Sequence, residues 1–254
     1  MARNRLCAWD GSHLGAETDM FLDMAEKEGA SPTPQRLPSG RHGLAPSFVA
    51  SNQRERIMAA VAGAVSTRGY AGMTVEDVIS LAGVSRRTFY DHFKSKEDAF
   101  LVAYDGVCVQ LYELVVEAYT RAPGDFERLR DSLDTFLRFL AAEPAFADMC
   151  IVEVLAAGPA AIERRDHLMR DFATMFDTAG RGMSGDEIPP PLTAEAIVGG
   201  IYEVVYKRVL RGTTASLPEL LAELLYFGVV PYLGRDAAKQ RFASTPMGRD
   251  GQTL

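Results

Sequence analysis

The sequence predicts an all-α protein of about nine core helices, and three observations carry that expectation. Apolar residues recur at three- and four-residue spacing from Ser51 almost to the end of the chain. No segment sustains a two-residue alternation bounded by hairpin turns. Gly- and Pro-containing stretches such as "APG" and "MSGDEIPPP" fall between long periodic runs, where helix ends are expected.

The elements follow in order. Residues 1–50 read as a flexible extension: "AETDMFLDMAEKEG" allows a short helix, and "ASPTPQRLPSGRHGLAPS" is a Pro/Gly/Ser linker. From Ser51, Ile57, Val61, Ala64 and Val65 form one apolar face of a helix ending near Gly69. Thr74 is placed to cap "VEDVISLA", with Asp77 as the reciprocal partner of a capping box. Val75, Val78, Ile79 and Ala82 are its buried side, and Gly83 supplies the turn that follows. Ser85 caps a short helix, "RRTFYDHF", and Ser95 caps a long one that runs from Lys96 until Pro123 stops it. "DFERLRDSLDTFLRFLAAE" carries an apolar stripe of Phe126, Leu129, Leu133, Phe136, Leu137 and Leu140. A helix is expected to begin at Pro144, another at "PAAIERRDHLMRDFATMFDTAGRG", and two strongly apolar ones at "LTAEAIVGGIYEVVYKRVLRG" and "SLPELLAELLYFGVVPYLG". The expected division is an extension at 1–50, a small module at 51–97, a larger helical domain at 98–236 and a tail at 237–254.

Composition narrows the function classes. The chain has 254 residues, 47% hydrophobic and 24% charged, as in an ordinary soluble protein. No apolar run reaches the ~18 residues of a membrane span, and the N-terminus lacks the apolar core of a secretion signal. A cytoplasmic location without membrane association is expected. Cys7, Cys108 and Cys150 have no metal-like spacing and read as free thiols. The four histidines are scattered. No nucleophile–base pair, metal cluster or phosphate loop is legible, so no enzyme activity, cofactor or metal is expected; Asp166 and His167, adjacent on a helix, do not face each other.

Charge is uneven along the chain. Residues 51–96 hold seven Lys/Arg against four Asp/Glu, net +3, whereas residues 97–254 hold fifteen against twenty-four, net −9. The basic excess gathers at "SRRTFYDHFKSK", inside a chain whose formal charge is −7. Two short helices joined by "AGVS" make a helix-turn-helix. Phe89 and Phe93, four residues apart, face its small core, together with Ile79 and Val84. Arg86, Arg87, Thr88, Tyr90 and His92 are then left facing outward on a helix that fits a major groove, where arginine hydrogen-bonds guanine in bidentate fashion. Thr88, Tyr90 and Lys96 suit phosphates, as do the helix starts near Thr74 and Ser95. The expected DNA-binding set is Arg54, Thr74, Val75, Ser85, Arg86, Arg87, Thr88, Tyr90, His92 and Lys96.

The run Thr74, Leu81-Ala82-Gly83-Val84-Ser85, Thr88, Phe89-Tyr90, His92-Phe93 and Lys96 resembles, without gaps, the helix-turn-helix of the Tet repressor (TetR) family of bacterial regulators. It departs at Ile79, where Ala often stands, and at Phe100, where Leu is commoner. The resemblance is strong over residues 53–104 and rests on helix count beyond. It implies a homodimer on double-stranded operator DNA, with half-sites about 34–36 Å apart. It also implies a C-terminal domain whose small-molecule effector releases the DNA, so a repressor is expected.

Two further sets are expected on that basis. Ile197, Ile201, Val205, Leu217, Leu221, Leu224 and Phe227 are assigned to a four-helix dimer interface, the alternative being a helix pair buried within one chain. Cys108, Tyr112, Phe146, Met149, Met169, Phe172, Met175 and Phe176 suit an adaptable, largely apolar effector pocket, although ordinary core packing explains each singly. Arg164 and Arg165 offer an anion contact or a solvated helix face. The other function classes weighed are control by a partner protein without a ligand, and an all-α enzyme using a C-terminal cavity.

Overall fold

The structure, a computed structural model, describes residues 46–185 and 188–244. Among the described residues every regular element is helical, with ten α-helices. They are α1 (Pro46–Gly72), α2 (Val75–Ala82), α3 (Arg86–His92), α4 (Lys96–Arg121), α5 (Asp125–Ala142), α6 (Pro144–Ala147), α7 (Pro159–Met183), α8 (Thr193–Leu210), α9 (Leu221–Leu233) and α10 (Arg235–Ser244). The chain divides into two compact units. The first takes the residues up to Gln110 and Ala145–Arg165; the second takes Leu111–Pro144 and the residues from Asp166 onward.

In the first unit, α1 buries Ile57, Val61, Ala64 and Val65, the face its spacing predicts. It starts at Pro46, ahead of the expected Ser51, and bends sharply at Gly69, where φ is 67°. Only glycine takes that conformation without cost, which is why the regular helix ends there. Thr74 Oγ1 accepts from the Asp77 amide and the Asp77 carboxylate accepts from the Thr74 amide, a complete capping box on α2. Gly83, at φ 60°, closes α2 in the left-handed conformation and turns the chain into α3. Ser85 Oγ caps α3 by accepting from the Thr88 amide at 3.0 Å. Ser95 Oγ accepts from the Asp98 amide at the start of α4, and the Asp98 carboxylate accepts from the Lys94 amide.

The stretch after Pro144 departs from the expected single helix. One α turn gives way to a π turn at Asp148–Val152 and a 3₁₀ turn at Glu153–Leu155. Met149, Cys150, Ile151 and Val154 are all buried. Three consecutive buried residues spread over about 200° of a regular α-helix, and the wider turn relieves that conflict.

In the second unit, α5 buries Phe126, Leu129, Leu133, Leu137, Phe139 and Leu140. The last apolar stretch is a 3₁₀ turn, Thr214–Leu220, followed by α9, because Pro218 cannot continue an α-helical ladder. A Cβ on Gly228 would lie 2.6 Å from Phe176 Cζ, so glycine sets the close approach of α9 to α7. Residues 235–244 form α10, with Phe242 edge-on to Phe126 at 5.8 Å, where the sequence suggested a tail from 237. α4 and the stretch Thr214–Leu233 are long and apolar enough to cross a bilayer by length and composition; 56% and 33% of their most apolar windows are buried in the chain. The extension through residue 45, with its possible short helix, and the last ten residues of the tail lie outside the described residues.

Candidate nucleic-acid interface

α3 is seven residues long and its two sides differ sharply. Phe89 is fully buried and Phe93 nearly so, with ring centroids 5.7 Å apart. Arg86, Arg87 and Tyr90 are exposed, and Thr88 and His92 are half-buried. The spacing that buries the two phenylalanines therefore turns the arginines and the tyrosine outward, as the sequence implied. Tyr90 also packs edge-on against Phe89 at 5.3 Å, which fixes its direction.

Electrostatics distinguish the cations. Arg86 pairs with Glu76 of α2 at 3.0 Å, and that hydrogen bond raises the guanidinium pKa further. Arg87 has no ion-pair partner among the described residues. Arg68 pairs with Asp77 at 3.3 Å, and the capping bonds from Thr74 hold the Asp77 carboxyl below its ordinary range. Arg54 lies over the Phe93 ring at 5.2 Å. Burial, then the nearby Arg54 charge, lowers the His92 pKa. Val75 is half-buried and Ser85 is exposed but occupied as the cap of α3.

Lys96 is half-buried and holds the main chain. Its Nζ donates to the carbonyls of Tyr70 and Met73, at 2.9 and 3.0 Å, and sits 4.6 Å from the Tyr70 ring centroid. The ammonium group fills the bend after Gly69. Sequence reasoning also missed Arg56, whose guanidinium donates to the carbonyls of Ala82 and Gly83 and so anchors the turn.

The expected effector residues lie in both units. In the first, Cys108 and Met149 are buried and Phe146 is half-buried. Burial, then a hydrogen bond with Cys150, pushes the Cys108 thiol well up, so it packs as a neutral group. In the second, Phe172 gathers Tyr112 at 5.9 Å and Phe136 at 6.1 Å. Met169 is half-buried; Met175 and Phe176 are buried, and the Met175 carbonyl accepts from the Tyr119 hydroxyl. Arg164 is half-buried, and its Nε pairs with Asp105 at 2.9 Å. Burial outweighs that pairing and pushes Asp105 up to about 6.

Of the expected dimer residues, Ile197, Ile201, Val205, Leu217 and Leu224 are buried within the single chain, as the alternative reading of these helices has it. Leu221 is half-buried, and Phe227 is 51% exposed. The Phe227 ring covers Gly200, where an added Cβ would meet it at 3.3 Å, and Gly199 beside it has open space.

Comparison with known proteins agrees with this geometry. Residues 57–103 match the family model described as "Bacterial regulatory proteins, tetR family". The HTH-type transcriptional regulator EthR of Mycolicibacterium smegmatis is 29% identical over 160 residues, covering 61% of this chain and 72% of that protein. EthR of Mycobacterium tuberculosis is 34% identical over 93 residues, covering 36% of this chain and 41% of that protein. Among solved structures, the fatty acid degradation regulator FadR of Bacillus halodurans superposes with a TM-score of 0.62 at 19% identity, covering 70% of this chain and 94% of that one. FadR of Bacillus subtilis, solved in complex with stearoyl-CoA, gives 0.60 at 19% identity, covering 71% and 98%.

Proposed function

Because the chain belongs to the TetR family of bacterial regulatory proteins, we propose that it is a dimeric, sequence-specific DNA-binding regulator. In this reading it is a repressor that a small molecule releases from its operator. The carrying observation is the division of α3: Phe89 and Phe93 are its anchors, and Arg86, Arg87 and Tyr90 its outward face. Arg86 and Arg87 read base edges in the major groove, and Tyr90 and Thr88 contact phosphates. The work of the chain is binding rather than turnover, and it takes place in the cytoplasm.

The second copy docks on the surface of α8 and α9 around Gly199 and Phe227, where the first leaves open space and the aromatic ring of the second stands exposed. The effector is largely apolar. The ring cluster of Tyr112, Phe136 and Phe172 supports that, and a long acyl chain is the first class to test, since a neighbour of the same fold was solved with stearoyl-CoA.

Gel-shift titration with the DNA upstream of the protein's own gene tests the reading. Arg86→Ala and Tyr90→Ala should each weaken binding while leaving the helical spectrum unchanged. Wild-type affinity in both variants would overturn the role given to α3. Addition of a long-chain acyl-CoA should raise the melting temperature and dissociate the complex; failure of acyl-CoA alone would remove that effector class.

A further inference from the structure

The bend between α1 and α2 is held by side chains from two other parts of the first unit. Lys96 binds the Tyr70 and Met73 carbonyls from the start of α4. From the opposite direction in the chain, the Glu153 carboxylate accepts from the Tyr70 amide at 2.5 Å, across 83 residues of sequence. Its two oxygens also lie over Gly69, where an added Cβ would meet them at 3.2 and 3.3 Å. Gly69 is thus required twice, for its positive φ and for the room it leaves the carboxylate. Thr74, the cap of the first helix of the helix-turn-helix, follows directly on this joint.

Glu153 itself leaves a turn poised between two registers. Its N–H is shared between the Asp148 carbonyl, the π-helical partner, and the Met149 carbonyl, the α-helical one. Loss of the extra π residue would rotate everything after it by about 100° about the helix axis. A rotation of that size withdraws the Glu153 side chain from Tyr70.

We propose that Glu153 is a positioning residue for DNA binding: it reaches the joint at Gly69–Met73 from a two-register turn and fixes the geometry in which the helix-turn-helix is presented. The proposal rests on the regulator reading above for its consequence, but not for the contact itself. A ligand or partner that favours the α register at Asp148–Val152 would release the joint without touching α2 or α3.

The test compares Glu153→Ala with Glu153→Gln, which keeps an acceptor oxygen. Glu153 is only half-buried, so truncation opens no closed cavity. Amide exchange at Tyr70 should quicken at least about ten-fold in Glu153→Ala and remain near wild type in Glu153→Gln. Affinity for the upstream duplex should fall about ten-fold in the first and be restored in the second, with the salt dependence unchanged because no phosphate contact is lost. Continued protection of Tyr70 in Glu153→Ala, or unchanged DNA affinity with Tyr70 unprotected, would overturn the proposal. So would equal loss in both variants, which marks a structural role only. If the wild-type chain binds no DNA, the regulator reading falls by itself, and Tyr70 exchange alone decides the contact.

Discussion

Raising the salt concentration measures how many cations the helix-turn-helix brings to the DNA, since a guanidinium in the major groove displaces condensed counterions as one on a phosphate does. Residues 51–96 hold seven: Arg54, Arg56, Arg68, Arg86, Arg87, Lys94 and Lys96. Arg56 and Lys96 donate to main-chain carbonyls, Arg54 lies over Phe93, and Arg68 and Arg86 pair with Asp77 and Glu76. Arg87 and Lys94 are exposed and have no ion-pair partner among the described residues. Arg86 is a third available cation, since its pair is 62% and 69% exposed and solvent screens so open a pair. A dimer therefore presents about four to six, and the slope of log K against log salt should be about −3.6 to −5.4. Between 50 and 200 mM salt that is a loss of roughly 10²- to 10³-fold; fourteen engaged cations would give a slope of about −13 and a loss above 10⁷-fold. Fluorescence anisotropy with a labelled upstream duplex reads the slope directly. Arg87→Ala and Lys94→Ala should each flatten it by about 2 per dimer, whereas Lys96→Ala should leave it unchanged whatever it does to affinity. A wild-type slope near the steeper value, or flattening by Lys96→Ala equal to that of Arg87→Ala, would refute the assignment of charges.

Three other outcomes follow from the packing. Phe89→Ala empties a fully buried site and should cost about 3–5 kcal/mol, read as a lowered melting temperature together with loss of DNA binding. Asp105 has its pKa raised from 3.8 to about 6 by burial, so its protonated form is the better fit in the folded chain. Its contribution is full below about 3.8 and is lost as pH rises through about 6, a difference of about 2 pH units or about 3 kcal/mol. Asp105→Asn should remove that part of the pH dependence, so the gap between variant and wild-type melting temperatures should widen in the variant's favour from pH 4 to pH 7; a constant gap would refute it. Phe227→Glu should yield monomers by size-exclusion chromatography with light scattering, and the monomer should keep its helical content.

What could be read from the sequence was local. Thr74, Ser85 and Ser95 sit three residues before the amides they cap, so the side chain that ends each orphaned helix start is written beside it. The division of α3 was legible for the same reason, since a four-residue spacing fixes which side of a helix Phe89 and Phe93 share. The main-chain partners of Lys96 could not be read from the sequence, because they are carbonyls, which every residue carries and no sequence pattern marks. Glu153 and Asp105 were not singled out at all: their partners Tyr70 and Arg164 lie 83 and 59 residues away, and an isolated carboxylate on a helical stretch looks like any solvated one.

Apolar composition showed that α8 and α9 are packed, but not against what. A helix with Ile197, Ile201 and Val205 on one face satisfies equally a neighbour in the same chain and a copy of itself. Ile197, Ile201, Val205, Leu224 and Leu225 are already buried in the single chain, and the surface that remains carries Glu195, Glu203, Lys207, Glu223, the half-buried Gly199 and the exposed ring of Phe227. In the proposed dimer, contact centres on the exposed ring of Phe227 and the open space at Gly199 of each copy, rather than on a continuous leucine seam. Truncating Leu217 or Val205 should therefore lower the stability of the chain itself, whereas changing Phe227 should act on assembly. The two effects are separable in one experiment, by measuring melting temperature and molecular mass on the same samples.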